Sequence, residues 1–454
     1  MSATITFLGG ADTVTGSKYL VEHQHQRLLV DCGLFQGYKQ LRLRNWNPLP
    51  VTPGQIQAVI LTHAHLDHSG YLPLLVKEGF GGRVHATPGT CDLASILLPD
   101  SGHIQEEDAA FANRHGFSKH HPALPLYTRE DALRSLEQLH REPFGQWFEP
   151  IRGWRARFYR AGHILGAASL LLEVGGRRIL FSGDLGRPDD PLMLPPEAPP
   201  QAETVLIEST YGNRQHPETH LFNELAPLLK RLAARGGVAV VPVFAVGRAQ
   251  AVLHTIAQLK AAGELPRGLP IFLDSPMAIH TTALYSHHLG EHRLNGQEVN
   301  QMDRVATMLE TPDQSKSLMR RHGPMVILAA SGMATGGRVL HHLVQYAGDH
   351  RNMIILTGYQ SPGTRGAWLA SGRPTVRIHG QDVAVRAEVV QIESASAHAD
   401  GNQLLSWLHR MPSAPDQVYV VHGEREGSDM LRQRIEHEIK WRALVPEHGS
   451  VWPA

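Results

Sequence analysis

At 454 residues the chain is long enough for two or three domains, or for one domain carrying a large insertion. Lys plus Arg equals Asp plus Glu, 43 of each, so the whole molecule has no field to draw in a polyanion, and a nucleic-acid site has to be a local groove. Two cysteines, Cys32 and Cys91, exclude a disulfide framework and lack zinc-ribbon spacing, which fits a reducing cytoplasm.

The chain opens on "MSATITFLGG", a strand pattern without the basic and apolar regions of a secretion signal. Its apolar stretches all break before membrane-spanning length, so no membrane partner is expected. "ATITFLGG", "SKYLVE" and "QRLLVDCG" read as strands of a meander, and "IQAVIL" as a buried strand. After that strand comes "LTHAHLDHSG", which packs His63, His65, Asp67 and His68 into six positions. A helix would scatter these side chains and a strand would split them between two faces, so the spacing predicts a loop in which they converge. "GRVHAT" reads as a further strand, and residues 88–145 as mostly helical. Strands return in "RARFYRAGH", "ASLLLEVGG" and "RRILFSGD".

The texture changes at "RPDDPLMLPPEAPPQAE", a Pro-rich acidic connector. Beyond it an apolar strand, a Gly-containing turn and a helix recur, the grammar of a parallel sheet. From residue 374 the short-strand pattern resumes in "TVRIHG", "VAVRAEVVQIES" and "QVYVVHGE". The simplest reading is an α/β sandwich domain over 1–205 and 374–454 with a parallel α/β domain inserted at 206–373.

Three more strand ends carry isolated ionisable residues beside small neighbours: His163 in "RAGHILGAAS", Asp184 in "LFSGDLGR" and His422 in "VVHGEREG". With the cluster they make seven donors, too many for one tetrahedral ion and suited to two metals roughly 3.5–4 Å apart. Imidazole with carboxylate and no thiolate favours zinc, with manganese second. The remaining His-rich spots, at 119–122, 286–292 and 341–342, read as solvated loop or helix residues. In the insert, "VFAVGRAQ" and "SGMATGGRV" both run from a strand into a helix start. Backbone N–H groups there can approach an anion, with Arg248, Arg338 and Ser331 as added donors to a substrate phosphate. "GYQSPGTRG", with Thr364 and Arg365, is a third turn of that kind.

"THAHLDHSG" resembles the signature of the metallo-β-lactamase fold, and Asp31, the His63–His68 cluster, His163 and Asp184 fall in the order that fold uses. Glu208 in "LIESTYGN", His398 in "SASAHAD" and His422 in "VVHGE" resemble the extra motifs of its β-CASP branch. That branch holds RNase J-type enzymes, the cleavage subunit of the mRNA 3′-end processing machinery and DNA-repair relatives. The resemblance implies an αββα sandwich with an inserted β-CASP domain. It also implies two zinc ions, one on His63, His65 and His163 and the other on Asp67, His68 and His422. Asp184 would bridge them, and Asp31 would orient a ligand from behind. It further implies hydrolysis of single-stranded RNA by an activated hydroxide, leaving 5′-phosphate and 3′-hydroxyl ends. His398 would serve as general acid and Glu208 as its partner. RNA-acting members carry His at the position of His422. A DNA nuclease, a small-molecule hydrolase and a non-catalytic RNA-binding scaffold are the competing functions, and a monomer or homodimer is expected.

Overall fold

The computed structural model describes residues 3–116, 118–358, 360 and 363–454. These divide into two compact units, one of residues 1–215 and 398–454, the other of residues 216–397.

Among the described residues, the first unit carries two seven-stranded sheets. One runs in the order Val451–Pro453, Thr4–Gly9, Lys18–His23, Gln26–Val30, Ala58–Ile60, Arg83–Ala86, Leu139–Arg141. The other runs Ala443–Leu444, Gln417–Val421, Thr204–Glu208, Arg177–Phe181, Ala168–Val174, Arg155–Arg160, Trp147–Phe148. Alternate residues along each strand face the other sheet. Ile5, Phe7, Val21, Leu28, Val30 and Ile60 thereby share one core with Phe158, Leu170, Leu172, Ile179, Phe181 and Leu206. The Phe7 ring meets Tyr419 across the sandwich at 5.3 Å between centroids. Helix Pro88–His115 starts under Thr87, whose hydroxyl accepts from Thr90 N, and packs against helix Arg129–Leu136, closed by a Thr128–Asp131 capping box. The architecture of this unit is the two-sheet sandwich that the resemblance implies.

The second unit is built on a six-stranded sheet ordered Thr307–Met308, Ile271–Asp274, Met325–Ala329, Val238–Pro242, Met353–Thr357, Glu388–Ile392, all of its pairs parallel. Val240, Ile327, Ile354 and Leu356 pack beneath Val339 and Leu343 of helix Val339–Tyr346.

Three sequence expectations change here. The second unit extends to residue 397 rather than ending at 373, because Glu388–Ile392 pairs parallel with Met353–Thr357 and the hairpin Thr375–Ile378/Gln381–Ala384 packs its Val376 and Ile378 into that unit's core. Its start moves from 206 to 216, because Thr204–Glu208 is an inner strand of the first unit, paired with Arg177–Phe181 and Gln417–Val421. The Pro-rich stretch after residue 186 is therefore a crossover within one sheet. Asp190 holds it by accepting from Leu192 N and Met193 N, each at 2.8 Å. Third, the His cluster is not all loop: Leu66–Ser69 is a short helix that carries Asp67 and His68.

Candidate metal centre

Strands of both sheets end at one edge of the first unit, and their following residues supply the site. Asp31 follows Gln26–Val30, and His63 and His65 follow Ala58–Ile60. Asp184 follows Arg177–Phe181, Glu208 ends Thr204–Glu208, and His422 follows Gln417–Val421. His163 lies between Arg155–Arg160 and Ala168–Val174, and His398 precedes helix Gly401–His409. Close approach is enforced at Gly33, where a Cβ would lie 1.6 Å from the Asp67 carbonyl oxygen. At Gly162, where φ is +70°, a Cβ would lie 2.4 Å from the Leu194 carbonyl oxygen, so the turn before His163 accepts no side chain.

Two sets of donor atoms converge. In the first, His65 Nδ1 lies 3.2 Å from His63 Nε2 and 3.2 Å from His163 Nε2. Asp184 Oδ2 lies 3.5 Å and 3.7 Å from the same two Nε2 atoms. In the second, His68 Nε2 and His422 Nε2 are 3.1 Å apart, and Asp67 Oδ2 is 3.4 Å from His422 Nε2. The other oxygen of Asp184, Oδ1, lies 3.3 Å from His68 Nε2. Asp184 thus turns one oxygen to each set.

The donor geometry fits metal ions. Ligands 2.0–2.1 Å from a tetrahedral zinc are separated by roughly 3.3 Å, the spacing found within both sets. Asp184 Oδ1, fully buried, has no hydrogen-bond partner among the described residues. A buried charged oxygen without a donor costs several kcal/mol, roughly, unless a cation neutralises it.

The surroundings set the donors' charges: burial opposes a charge on His68, but Asp184 and then Asp31 outweigh it and raise its pKa well above the usual value. Burial, with neighbouring His68, pushes the His63 imidazole well below its usual pKa. Burial brings His65 down to about 4. Both are neutral at physiological pH. Asp184 overcomes its burial through His422 and His68 and lies well below the usual carboxylate range. Asp67 lies lower than usual too: burial opposes this, but the His422 hydrogen bond and His68 outweigh it.

Hydrogen bonds behind the donors fix their aim. Asp31 Oδ2 sits 2.8 Å from His68 Nδ1, and Asp31 Oδ1 accepts from Thr62 N at 2.7 Å. The Thr62 hydroxyl reaches both Asp31 oxygens and lies 3.2 Å from His63 Nδ1. Thr210 Oγ1 lies 3.1 Å from His422 Nδ1, turning Nε2 toward the second set. Sequence reasoning missed Thr62 and Thr210. Their only signal was adjacency, one preceding the cluster and the other following Glu208 by two positions.

Glu208 is buried, and its Oε1 accepts from Leu185 N at 2.7 Å while lying 3.3 Å from His398 Nδ1. Burial opposes a charge on His398, but Glu208 and then Asp184 outweigh it, and its pKa is raised. The His398 side chain keeps 19 % of its surface exposed, against 2 % for Asp184, so it faces the open side of the site.

The phosphate candidates of the second unit are engaged otherwise. Arg338 Nη1 donates to Asp274 Oδ1 at 2.7 Å and to the Leu309 carbonyl at 2.9 Å, and its Nη2 donates to the Glu310 carbonyl at 2.7 Å. Arg248 is buried and donates to the Thr357 carbonyl at 2.9 Å. Ser331 Oγ accepts from Thr335 N at 3.0 Å within its own turn. Both guanidiniums are engaged within their own unit, Arg338 by one carboxylate and two carbonyls and Arg248 by the carbonyl that ends strand Met353–Thr357. In "GYQSPGTRG", Tyr359, Ser361 and Pro362 lie outside the described residues, while Thr364 caps helix Arg365–Ala370 and Arg365 donates to the Arg377 carbonyl. Two histidines expected in solvent are buried: His342 Nε2 lies 2.6 Å from Asp274 Oδ2, and His292 Nε2 lies 2.9 Å from the Tyr285 carbonyl.

The chain is similar to known proteins along most of its length. A model of the metallo-beta-lactamase superfamily matches residues 12–218 and one of the Beta-Casp domain residues 249–369. A model of the Zn-dependent metallo-hydrolase RNA specificity domain matches residues 382–446. Ribonuclease TTHA0252 of Thermus thermophilus is 38% identical over 92% of this chain and 92% of its own. The RNase J-like protein of Methanocaldococcus jannaschii is 31% identical over 99% of each chain. Transcription termination factor FttA of Methanosarcina mazei is 30% identical over 96% of this chain and 69% of its own. A crystal structure of a protein of unknown function from Enterococcus faecalis, 15% identical, superposes over the full length of both chains with a TM-score of 0.54, a likeness of fold alone.

Proposed function

The chain belongs to the metallo-β-lactamase superfamily in its Beta-Casp form, and from that membership we propose a ribonuclease that hydrolyses single-stranded RNA with two zinc ions, leaving 5′-phosphate and 3′-hydroxyl ends. The observation that carries the reading is the pair of donor sets sharing Asp184, one oxygen toward each. His63, His65 and His163 would hold one ion, and Asp67, His68 and His422 the other. Bound zinc supplies hydroxide at neutral pH and offsets the charge that builds on the phosphodiester. The chain's own residues do the rest. Asp31, Thr62 and Thr210 fix the imidazole tautomers so that unprotonated nitrogens face inward. His398, held at Nδ1 by Glu208, donates its Nε2 proton to the departing 3′-oxygen. Relatives named as a ribonuclease and an RNase J-like protein, and the match to an RNA specificity domain, support RNA as the polymer.

One assay tests this. Purified protein is given single-stranded RNA, single-stranded DNA or a lactam, each with and without chelator, and its metal content is measured. We expect RNA cleavage that chelator abolishes and zinc restores, with two metals per active chain. Full activity at one metal per chain, or no RNA cleavage by protein holding two, would overturn the proposal.

A further inference from the structure

The segment after Asp31 is unlike the rest of the surface. The whole chain is charge-balanced, yet between Asp31 and Asp67 there is no acidic residue, while Lys39, Arg42 and Arg44 crowd into six positions. They sit on helix Lys39–Arg44, which buries none of its side chains. A helix this short is not stable on its own, and here no apolar face anchors it. Asn45 holds it instead: its side chain accepts from Phe35 N at 2.9 Å and donates to the Phe35 carbonyl at 2.8 Å.

What the helix presents outward is ordered. Tyr38, Arg42 and Trp46 recur every fourth residue and so form one row along the helix. The turn continues past residue 44 through Asn45 N to the Arg42 carbonyl and Trp46 N to the Leu43 carbonyl. Tyr38 is 53% exposed and Trp46 58%. From Tyr38 to Trp46 the row is about 12 Å long. Among the described residues no carboxylate forms an ion pair with Lys39, Arg42 or Arg44; the Arg44 guanidinium lies over the Phe35 ring, 5.4 Å from its centroid. Asp108 feels Arg42, but burial and then Glu107 raise its pKa. By contrast, Arg155, Arg177 and Arg178 around the open groove at the Gly175–Gly176 turn are each matched to a carboxylate.

The row is tied to the metal centre by backbone. Cys32 N donates to the His68 carbonyl at 2.6 Å and Leu34 N to the Leu66 carbonyl at 2.8 Å. Tyr38 lies five positions after Gly33, which packs on Asp67, so the row begins within about 17 Å of that contact.

We propose that the segment Gly37–Trp46 is a landing strip for single-stranded RNA beside the metal centre, Tyr38 and Trp46 stacking on bases while Lys39, Arg42 and Arg44 contact phosphates. The inference rests on the ribonuclease reading. Exposed aromatics interleaved with unpaired basic residues suit single strands because every base has a stacking face and every nucleotide a phosphate. An acidic protein surface or an anionic membrane would also meet these cations, but the backbone tie to the donor sets favours the polymer that the centre would cleave.

The test compares wild type with two variants of the full chain, Tyr38→Ala/Trp46→Ala and Lys39→Gln/Arg42→Gln/Arg44→Gln, loaded with zinc. Binding of a twenty-nucleotide RNA should weaken about tenfold or more in the first. In the second, the slope of log Kd against log salt should flatten by about 2, near 0.7 per phosphate contact. The ratio of kcat/KM on that RNA to kcat/KM on bis(p-nitrophenyl) phosphate, which is too small to reach the strip, should fall at least tenfold in both. In the unaltered chain, RNA carrying 4-thiouridine should photocrosslink to the peptide containing residues 37–46. Wild-type affinity, salt slope and ratio in both variants, with crosslinks elsewhere, would overturn the landing strip while leaving the ribonuclease intact. A changed sedimentation coefficient with unchanged RNA affinity would make the helix a protein interface and overturn it too. Wild type that cleaves no RNA would bring down both readings.

Discussion

Asp31 touches no position where substrate would react, yet its removal should change metal binding in a way the structure specifies. Its carboxylate takes Thr62 N at 2.7 Å, the Thr62 hydroxyl at 2.9–3.0 Å and His68 Nδ1 at 2.8 Å, all buried. In Asp31→Ala, the Thr62 N–H and the His68 Nδ1–H both lose their acceptor. At about 1–3 kcal/mol per unsatisfied buried donor, the metal-free protein should lose about 2–6 kcal/mol. Asp31→Asn separates the two roles. Its amide oxygen still accepts from Thr62 N, so metal-free stability should fall less. Its amide nitrogen would then face His68 Nδ1, and two donors cannot share a hydrogen bond. The ring must move its proton to Nε2, the atom that faces His422 and Asp184. That removes the lone pair the second metal needs. Positioning partners of this kind are worth about 10–100-fold in metal affinity. Zinc titration against a chromophoric chelator should therefore show one of two binding steps weakened by that factor, with Asn at least as damaging as Ala. Thermal unfolding of the stripped protein should rank the two variants the other way. Wild-type affinity for both zinc ions in Asp31→Asn would refute the tautomer argument, whatever the melting temperatures.

Three further outcomes are expected. His398→Ala should retain both metals and RNA affinity but lose about 10²–10⁴ in rate, and a substrate with sulfur in place of the bridging 3′-oxygen should recover much of it; loss of metal, or no rescue, would remove His398 as the proton donor. Arg338→Ala should lower stability by about 2–3 kcal/mol in denaturant unfolding, because Asp274 is fully buried among Arg338, His342 and Ser315 and would lose one of its charge partners; an unchanged midpoint together with a flattened RNA salt slope would restore the phosphate role. Lys18 is buried against the Gly33 carbonyl and the rings of Phe35 and Tyr71, and burial brings its pKa down from 10.5 to about 8. Between those values the unfolded chain binds the extra proton, so stability should rise with pH by about 3 kcal/mol across pH 8–10.5, and chemical unfolding of Lys18→Met should lack that rise.

The strands and the donors of the centre were legible because both are local signals. An apolar run followed by Gly or Ser beside a lone His or Asp marks a strand end with chemistry on it, as at His163, Asp184 and His422. What could not be read was partner choice across distance. "VAVRAEVVQIES" has the same short-strand texture whether it completes the first unit or pairs with Met353–Thr357, and only the pairing shows that its second half belongs to the second unit. Arg338 beside two glycines at a helix start looks like an anion turn. Its partner Asp274 lies 64 positions away, and no local pattern announces it. His342 looked solvated for the same reason, since the carboxylate that allows it to be buried is that same distant Asp274. Thr62 and Thr210 were invisible because a hydroxyl is common and its direction is decided by backbone.

Backbone conformation also explains why these residue types stand where they do. Asp31 and His422 both have left-handed backbone, at φ +58° and +49°. For a residue with a side chain this costs about 1–2 kcal/mol, and Asp and His are among the few types that tolerate it. The conformation breaks the strand's alternation immediately after its last pair. It lets Asp31 reach back under His68, and His422 reach over to Asp67 and His68. Short backbone bonds hold both turns in place: Asp31 N donates to the Ile60 carbonyl at 2.8 Å, and His422 N donates to the Gly10 carbonyl at 2.6 Å. Each of these bonds joins the turn to a neighbouring segment of the sandwich, so the strain is carried by the sheets and not by the site. A centre assembled from strand ends dispersed over nearly the whole chain is then held in place by the sheets, and under the two-metal proposal the tautomer of a single imidazole, His68, would decide whether the second ion binds.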